Sequence, residues 1–183
     1  GHLWFGTMDD DEAAATGRVH RLDADGVCRP RTPHVAITNG PAFSPDGGTL
    51  YHTDTLGGVI HAATVQDGQV VGSRIFARID PADGYPDGPT VDSEGCVWTG
   101  LWGGGRARRY SPEGVILQEI RFPAANITKV AFGGDDLKTL YATSARKGLS
   151  DAERAAQPLA GSLFATRLDV AGLPVTPVRF GLS

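Results

Sequence analysis

A unit of strand, tight turn and strand recurs four times along the chain, and that recurrence limits the fold more than any other feature. Its clearest copy runs from Thr38 to Asp54, TNGPAFSPDGGTLYHTD. Ala42 and Phe43 are apolar. Ser44-Pro45-Asp46-Gly47-Gly48 is turn chemistry: Pro presets φ at about −65°, and Asp and Gly accept the conformations of a tight reversal. Thr49-Leu50-Tyr51-His52-Thr53 then supplies β-branched and aromatic residues in rough alternation. Other copies of this second strand are Leu3-Trp4-Phe5-Gly6, Val97-Trp98-Thr99-Gly100 and Leu140-Tyr141-Ala142-Thr143. Their aromatic positions, 4, 51, 98 and 141, are spaced by 47, 47 and 43 residues. A third strand opens at a glycine in each copy, at Gly17, Gly58, Gly105 and Gly161, and an outer fourth such as Gln69 to Phe76 fits each unit.

A period in the forties with several strands per unit is the mark of propeller blades. No helical periodicity separates the strands, which disfavours a βαβ fold; a β-sandwich is the plain alternative but does not require the recurrence. The reading is therefore all-β, one β-propeller domain over residues 1–183. Asp151 to Ala156 is the sole helix-like stretch, one surface turn. The 25 Gly and 12 Pro among 183 residues suit many short strands and turns. The net charge of −4 and the short Arg106–Arg109 cluster exclude a basic surface for nucleic acid. No apolar run reaches the roughly 18 residues of a membrane span, and no leader is recognisable at Gly1-His2-Leu3-Trp4, so a cytoplasmic protein without membrane contact is expected. Cys28 and Cys96 have no metal-type spacing.

In a propeller the first strand of each blade lines the central channel. Aligning the units on Phe43, Val91 and Phe132 puts Asn39, Asp87 and Thr128 four residues earlier in each, at similar depth around one end of that channel. Asn39 precedes Gly40, and Asp87 sits in Pro86-Asp87-Gly88-Pro89. Both are oxygen ligands beside rigid turn residues, which suits a preorganised metal ligand or base. Asn-Gly and Asp-Gly are also the commonest turn dipeptides, so a plain turn role fits the spacing equally. Trp4, Tyr51, Trp98 and Tyr141 read as blade packing. Asp46, Asp92 and Asp135 read as turn formers, Asp54 as a strand-end turn residue, and Arg106, Arg108 and Arg109 as a solvated outer face.

The segments ITNGPAFSPDGGTLYHTDT (37–55), YPDGPTVDSEGCVWTGLWGGGRARRYSPEG (85–114) and ITKVAFGGDDLKTLYATSARKG (127–148) resemble the senescence marker protein, gluconolactonase and luciferin-regenerating enzyme family, which includes regucalcin. GHLWFGTM (1–8) and GSLFATRLDVAGLP (161–174) fit it as well. The resemblance implies a six-bladed propeller with one divalent metal, Ca²⁺, Zn²⁺, Mn²⁺ or Mg²⁺, hydrolysing sugar lactones and related esters. It places the family's asparagine ligand on Asn39 and its aspartate, ligand and general base, on Asp87. An acidic substrate-contacting residue falls within Asp9 to Glu12, with Asp11 in the best register. It also implies that these 183 residues match the C-terminal two-thirds of the family, about four blades with the last one complete. A glutamate metal ligand and an Arg-x-Asn substrate motif would then lie outside them. Three functions stay open on the sequence: a metal-dependent lactonase using water attack, since no G-x-S-x-G nucleophile motif occurs; a non-catalytic propeller that binds a metal, small ligand or protein partner; and a partial chain, inactive alone, that self-associates through open sheet edges.

Overall fold

The computed structural model describes residues 2–177. Strands β1 (Leu3–Gly6), β2 (Val19–Leu22) and β3 (Cys28–Pro30) form a first antiparallel sheet. A second contains β4 (Thr38–Phe43), β5 (Thr49–Asp54), β6 (Val59–Gln66) and β7 (Gln69–Arg78), in chain order. In the third, β8 (Tyr85–Pro86) and β9 (Thr90–Val91) share one side of β10 (Val97–Trp102), which is followed by β11 (Arg106–Tyr110) and β12 (Ile116–Arg121). The fourth holds β13 (Asn126–Gly133), β14 (Thr139–Ala145) and β15 (Leu163–Arg167). The all-β expectation and the recurring unit both hold. An outer strand completes the first three sheets; among the described residues the fourth has none. The helix-like stretch is α1 (Asp151–Ala156), closed by a capping box in which the Ser150 and Glu153 side chains each satisfy the other's backbone N–H.

The sheets pack in chain order, β1 on β4, β4 on β9 and β10 on β13, and the apolar cores lie between them. Val19, Leu50 and Ala63 join the first sheet to the second, with Trp4 edge-on to Phe43 at 5.3 Å between ring centres. Tyr51, Ile60, Phe76, Val97 and Leu101 join the second to the third, and Trp98, Ile127, Val130 and Leu140 join the third to the fourth. Side chains alternate faces along a strand, so Trp4, Tyr51 and Trp98 of the first three units each face a neighbouring sheet. Tyr141 departs from the packing role expected of it. It is 36% exposed, because β14 turns Leu140 and Ala142 inward and no described sheet covers the opposite face.

Two further expectations are corrected. In the fourth unit the turn carboxylate is Asp136, not Asp135: Asp136 Oδ1 accepts the Lys138 N–H at 3.1 Å, as Asp46 Oδ1 accepts that of Gly48 at 3.0 Å. The arginines of β11 are not a solvated face. Arg108 is buried and bonds Glu119 at 2.6 Å and Asp83 at 2.7 Å. Arg109 bonds the fully buried Asp92 at 2.8 Å, and Asp92 also accepts the Trp98 indole N–H at 2.9 Å. The alternation was that of a strand, but β12 and the turn Pro81–Asp83 bring carboxylates over it. Asp54 does close its turn, accepting the Gly57 N–H at 3.2 Å. Cys28 and Cys96 are both free thiols. Among the described residues no helix is long and apolar enough to cross a membrane.

Candidate active site

The inner strands of the second, third and fourth sheets are interrupted at the same place. In β4 the ladder with β5 pairs Asn39 with Thr53, breaks, and resumes at Ala42 with Tyr51. In the third sheet the break is complete: β8 ends at Pro86, β9 begins at Thr90, and Asp87-Gly88-Pro89 lies between. In β13 the register slips between Ile127 and Lys129, at Thr128. Pro41 and Pro89 have no N–H to give a ladder, and proline enters a sheet mainly at such irregularities. Gly40, at φ +100°, turns the chain out of the β4 ladder. Gly88 lets Lys129 pass, since a Cβ there would collide with the Lys129 stem.

Each interruption is held firmly. The Asp87 N–H donates to the Gly100 carbonyl at 2.9 Å, and the Thr99 hydroxyl donates to the Asp87 carbonyl at 2.6 Å. From the fourth sheet, the Thr128 carbonyl accepts the Gly88 N–H at 2.9 Å and the Lys129 ammonium donates to the Pro89 carbonyl at 2.5 Å. Burial lowers the Lys129 pKa, partly offset by Asp87. Thr128 offers no ligand to the cavity; its hydroxyl bonds Thr143 at 2.7 Å. Lys129 was not singled out from the sequence. The available signal was a lone lysine inside the apolar run Ile127 to Phe132.

Asn39 and Asp87 line one cavity of about 390 Å³, together with Met8, Glu12, Ile37, Thr55, Leu56, Tyr85, Trp102 and Lys147. That volume is within the range of small-molecule sites, roughly 300–1,000 Å³. The Thr55 hydroxyl donates to the Pro86 carbonyl at 2.8 Å and so can only accept from Asn39 Nδ2, at 3.0 Å. This fixes the amide orientation and leaves Asn39 Oδ1 without a partner among the described residues. Asp87 Oδ1 accepts the N–H of Gly88 at 2.8 Å, and Oδ2 has no such bond among the described residues. Burial pushes the Asp87 carboxyl up to about 6, against the opposing pulls of the Gly88 N–H and the Lys129 charge.

Asp11 is exposed and is not among the residues lining this cavity; the neighbouring Glu12 is. The turn explains the register. Asp9 Oδ2 accepts the N–H groups of Ala13 and Ala14 at 3.0 and 3.2 Å, while Glu12 takes φ +57°. Glu12 Oε1 accepts from the Lys147 ammonium at 2.6 Å.

A family model described as the SMP-30/Gluconolactonase/LRE-like region matches residues 1–146. Among curated proteins, the chain is 40% identical over 174 residues to a 6-deoxy-6-sulfogluconolactonase from Pseudomonas putida, covering 94% of this chain and 60% of that protein. It is 39% identical over 177 residues to an L-arabinolactonase from Azospirillum brasilense, covering 94% and 58%. The chain thus spans about 60% of the length of the curated relatives it matches. Among solved structures it superposes on a calcium-binding protein, regucalcin, from Agrobacterium tumefaciens, with TM-score 0.88 and 31% identity over 98% of this chain and 60% of that one. A luciferin-regenerating enzyme matches with TM-score 0.86 and 31% identity, covering 94% and 60%. The interrupted inner strands, the cavity they enclose and these likenesses together identify the chain as a member of the SMP-30/gluconolactonase/LRE-like family.

Proposed function

We propose that the protein hydrolyses a sugar lactone to its open-chain hydroxy acid in the cavity lined by Asn39, Asp87 and Glu12. The observation that carries the proposal is the convergence of Asn39 and Asp87 on one cavity, each with an oxygen free of partners among the described residues. The lactonase names of the curated relatives support the substrate class. The four sheets are read as blades of a six-bladed propeller forming a single domain.

Asn39 Oδ1 and Asp87 Oδ2 would hold one divalent cation, Ca²⁺, Mg²⁺, Mn²⁺ or Zn²⁺. A neutral amide oxygen and a carboxylate are the hard donors such ions take. Among the described residues no group of three or more His, Cys, Asp or Glu is placed to hold a metal, so these two oxygens are a partial set that water and substrate would complete. When bound, the ion supplies a Lewis acid for the lactone carbonyl and for the oxyanion that develops on it. Asp87 accepts a proton from water as that water's oxygen attacks the carbonyl carbon, and the ring C–O bond then breaks with the proton passed to the departing oxygen. A cation beside Asp87 would favour its ionised form, against the burial that raises its pKa in the metal-free protein, and so keep it ready to take that proton. Glu12 accepts hydrogen bonds from sugar hydroxyls in the role the sequence register gave to Asp11. Tyr85 and Trp102 contribute aromatic wall.

The test is pH-stat hydrolysis of a panel of aldonolactones by the protein, with EDTA and with each of the four metals, beside Asp87→Asn and Asn39→Ala. Metal-dependent turnover lost in both variants is expected. No turnover with any metal refutes lactone hydrolysis by this chain and leaves a propeller that binds without catalysing or a partial chain inactive alone.

A further inference from the structure

Lys147 has no part in the chemistry above, yet it is the one cationic side chain among the described residues lining the cavity, where Asp87 and Glu12 are carboxylates and the rest are neutral. It reaches the cavity from the far end of the chain, its ammonium meeting Glu12 across 135 positions. The pair is open to solvent, with side-chain exposures of 70% for Lys147 and 39% for Glu12, so it adds little to stability. An ammonium has three donors and Glu12 takes one. The backbone beneath is fixed: the buried Asn126 donates from Nδ2 to the Lys147 carbonyl at 2.9 Å and accepts the Gly103 N–H at 3.1 Å. That side chain thus ties the Lys147 loop to the residue after Trp102, another member of the cavity wall. An exposed cationic head on an anchored backbone, with two donors that meet no partner among the described residues, is arranged to receive an acceptor that enters the cavity.

We propose that Lys147 is the specificity-determining residue of this cavity, selecting sugar lactones that carry an anionic substituent (a carboxylate, sulfonate or phosphate) away from the lactone carbonyl. The proposal rests on the lactonase reading. Glu12 can serve neutral hydroxyls, but without Lys147 the two carboxylates of the wall would repel a negatively charged substituent. Charge-assisted hydrogen bonds of this kind discriminate by roughly 10–100-fold.

The experiment compares kcat/KM for D-glucono-1,5-lactone with that for the same lactone bearing a 6-sulfonate, in the native protein and in Lys147→Met and Lys147→Arg. The native protein is expected to favour the sulfonated lactone. Lys147→Met should collapse that preference at least tenfold, mainly through KM, and Lys147→Arg should keep most of it. Hydrolysis of both lactones with a ratio that Lys147→Met leaves unmoved overturns this proposal and leaves the lactonase reading standing. Hydrolysis of neither overturns both.

Discussion

Replacing Asp87 by asparagine should make the metal-free protein more stable. Burial raises the Asp87 carboxyl from 3.8 to about 6. A raised carboxylate opposes folding wherever it is ionised: the penalty is absent well below its unfolded pKa, grows as pH rises through that value, and is complete above the folded one. At 1.36 kcal/mol per pKa unit it reaches about 3 kcal/mol near pH 8 and falls below about 1 kcal/mol near pH 4. Asparagine keeps an oxygen for the Gly88 N–H and leaves the backbone bonds to Gly100 and Thr99 untouched. For a chain of this size the gain corresponds to roughly 6–12 °C in Tm. The assay is thermal unfolding of both forms in EDTA near pH 8 and near pH 4, repeated near pH 8 with millimolar Ca²⁺, Mg²⁺, Mn²⁺ or Zn²⁺. Asp87→Asn should melt higher in EDTA at the alkaline pH, and the difference should shrink in acid. A metal bound by the folded state raises the native Tm by mass action and should leave the variant behind. Equal melting in EDTA near pH 8, or a lower Tm for the variant, would refute the argument that the fold holds this carboxylate against its own stability.

His52 tests the opposite sign. It is 3% exposed beside the stacked His61, with a pKa lowered to about 4 by burial, so its contribution is whole above the unfolded value of 6.5 and is lost as pH falls toward 4. Urea unfolding should show His52→Asn losing about 2.5 kcal/mol less than the native chain between neutral pH and about pH 4.5. Asp92→Ala removes the acceptor for Trp98, Arg109 and the Glu94 and Cys96 N–H groups, leaving the buried Trp98 indole N–H and Cys96 N–H unsatisfied while Arg109 keeps its pair with Glu94 at 2.6 Å. Denaturant melts should register a loss of roughly 2–4 kcal/mol, at about 1–3 kcal/mol for each buried donor left unsatisfied. Gly88→Ala should displace Lys129 and the Asp87 segment, lowering lactone turnover at least tenfold while circular dichroism remains that of a β protein. The chain should self-associate, because no strand among the described residues pairs with the outer edge of β15 and Leu163 is exposed on it; light scattering of a single monomeric species would count against this.

Much of the fold was legible because the strand and turn signals are local. Asp46, Gly47 and Gly48 announce a reversal without reference to anything distant, and four repetitions supply the architecture. The likeness of Asn39 to Asp87 was legible in the same way, as two copies of one interrupted strand. What the sequence did not display depends on contacts between sheets. The arginines of β11 look solvated until Glu119 and Asp83 arrive from other elements. Lys129 reaches Pro89 across 40 positions, and Lys147 reaches Glu12 across 135. The choice of Glu12 over Asp11 turns on one residue at positive φ, which the acidic run Asp9 to Glu12 does not reveal.

The interruptions in the inner strands have a consequence for how such a protein can change. The breaks are held mainly by backbone groups and by neighbours, and Asp87, Asn39 and Thr128 each add one side-chain hydrogen bond, to Gly88, Thr55 and Thr143. Threonine occupies the slot in β13 and serves no ligand, whereas asparagine and aspartate occupy it in the two sheets before. Side chains at these slots are therefore exchangeable without redrawing the strand ladders. One scaffold can pass through many ligand sets, and so through many substrates, by point substitution at a few inner positions while its architecture is inherited intact.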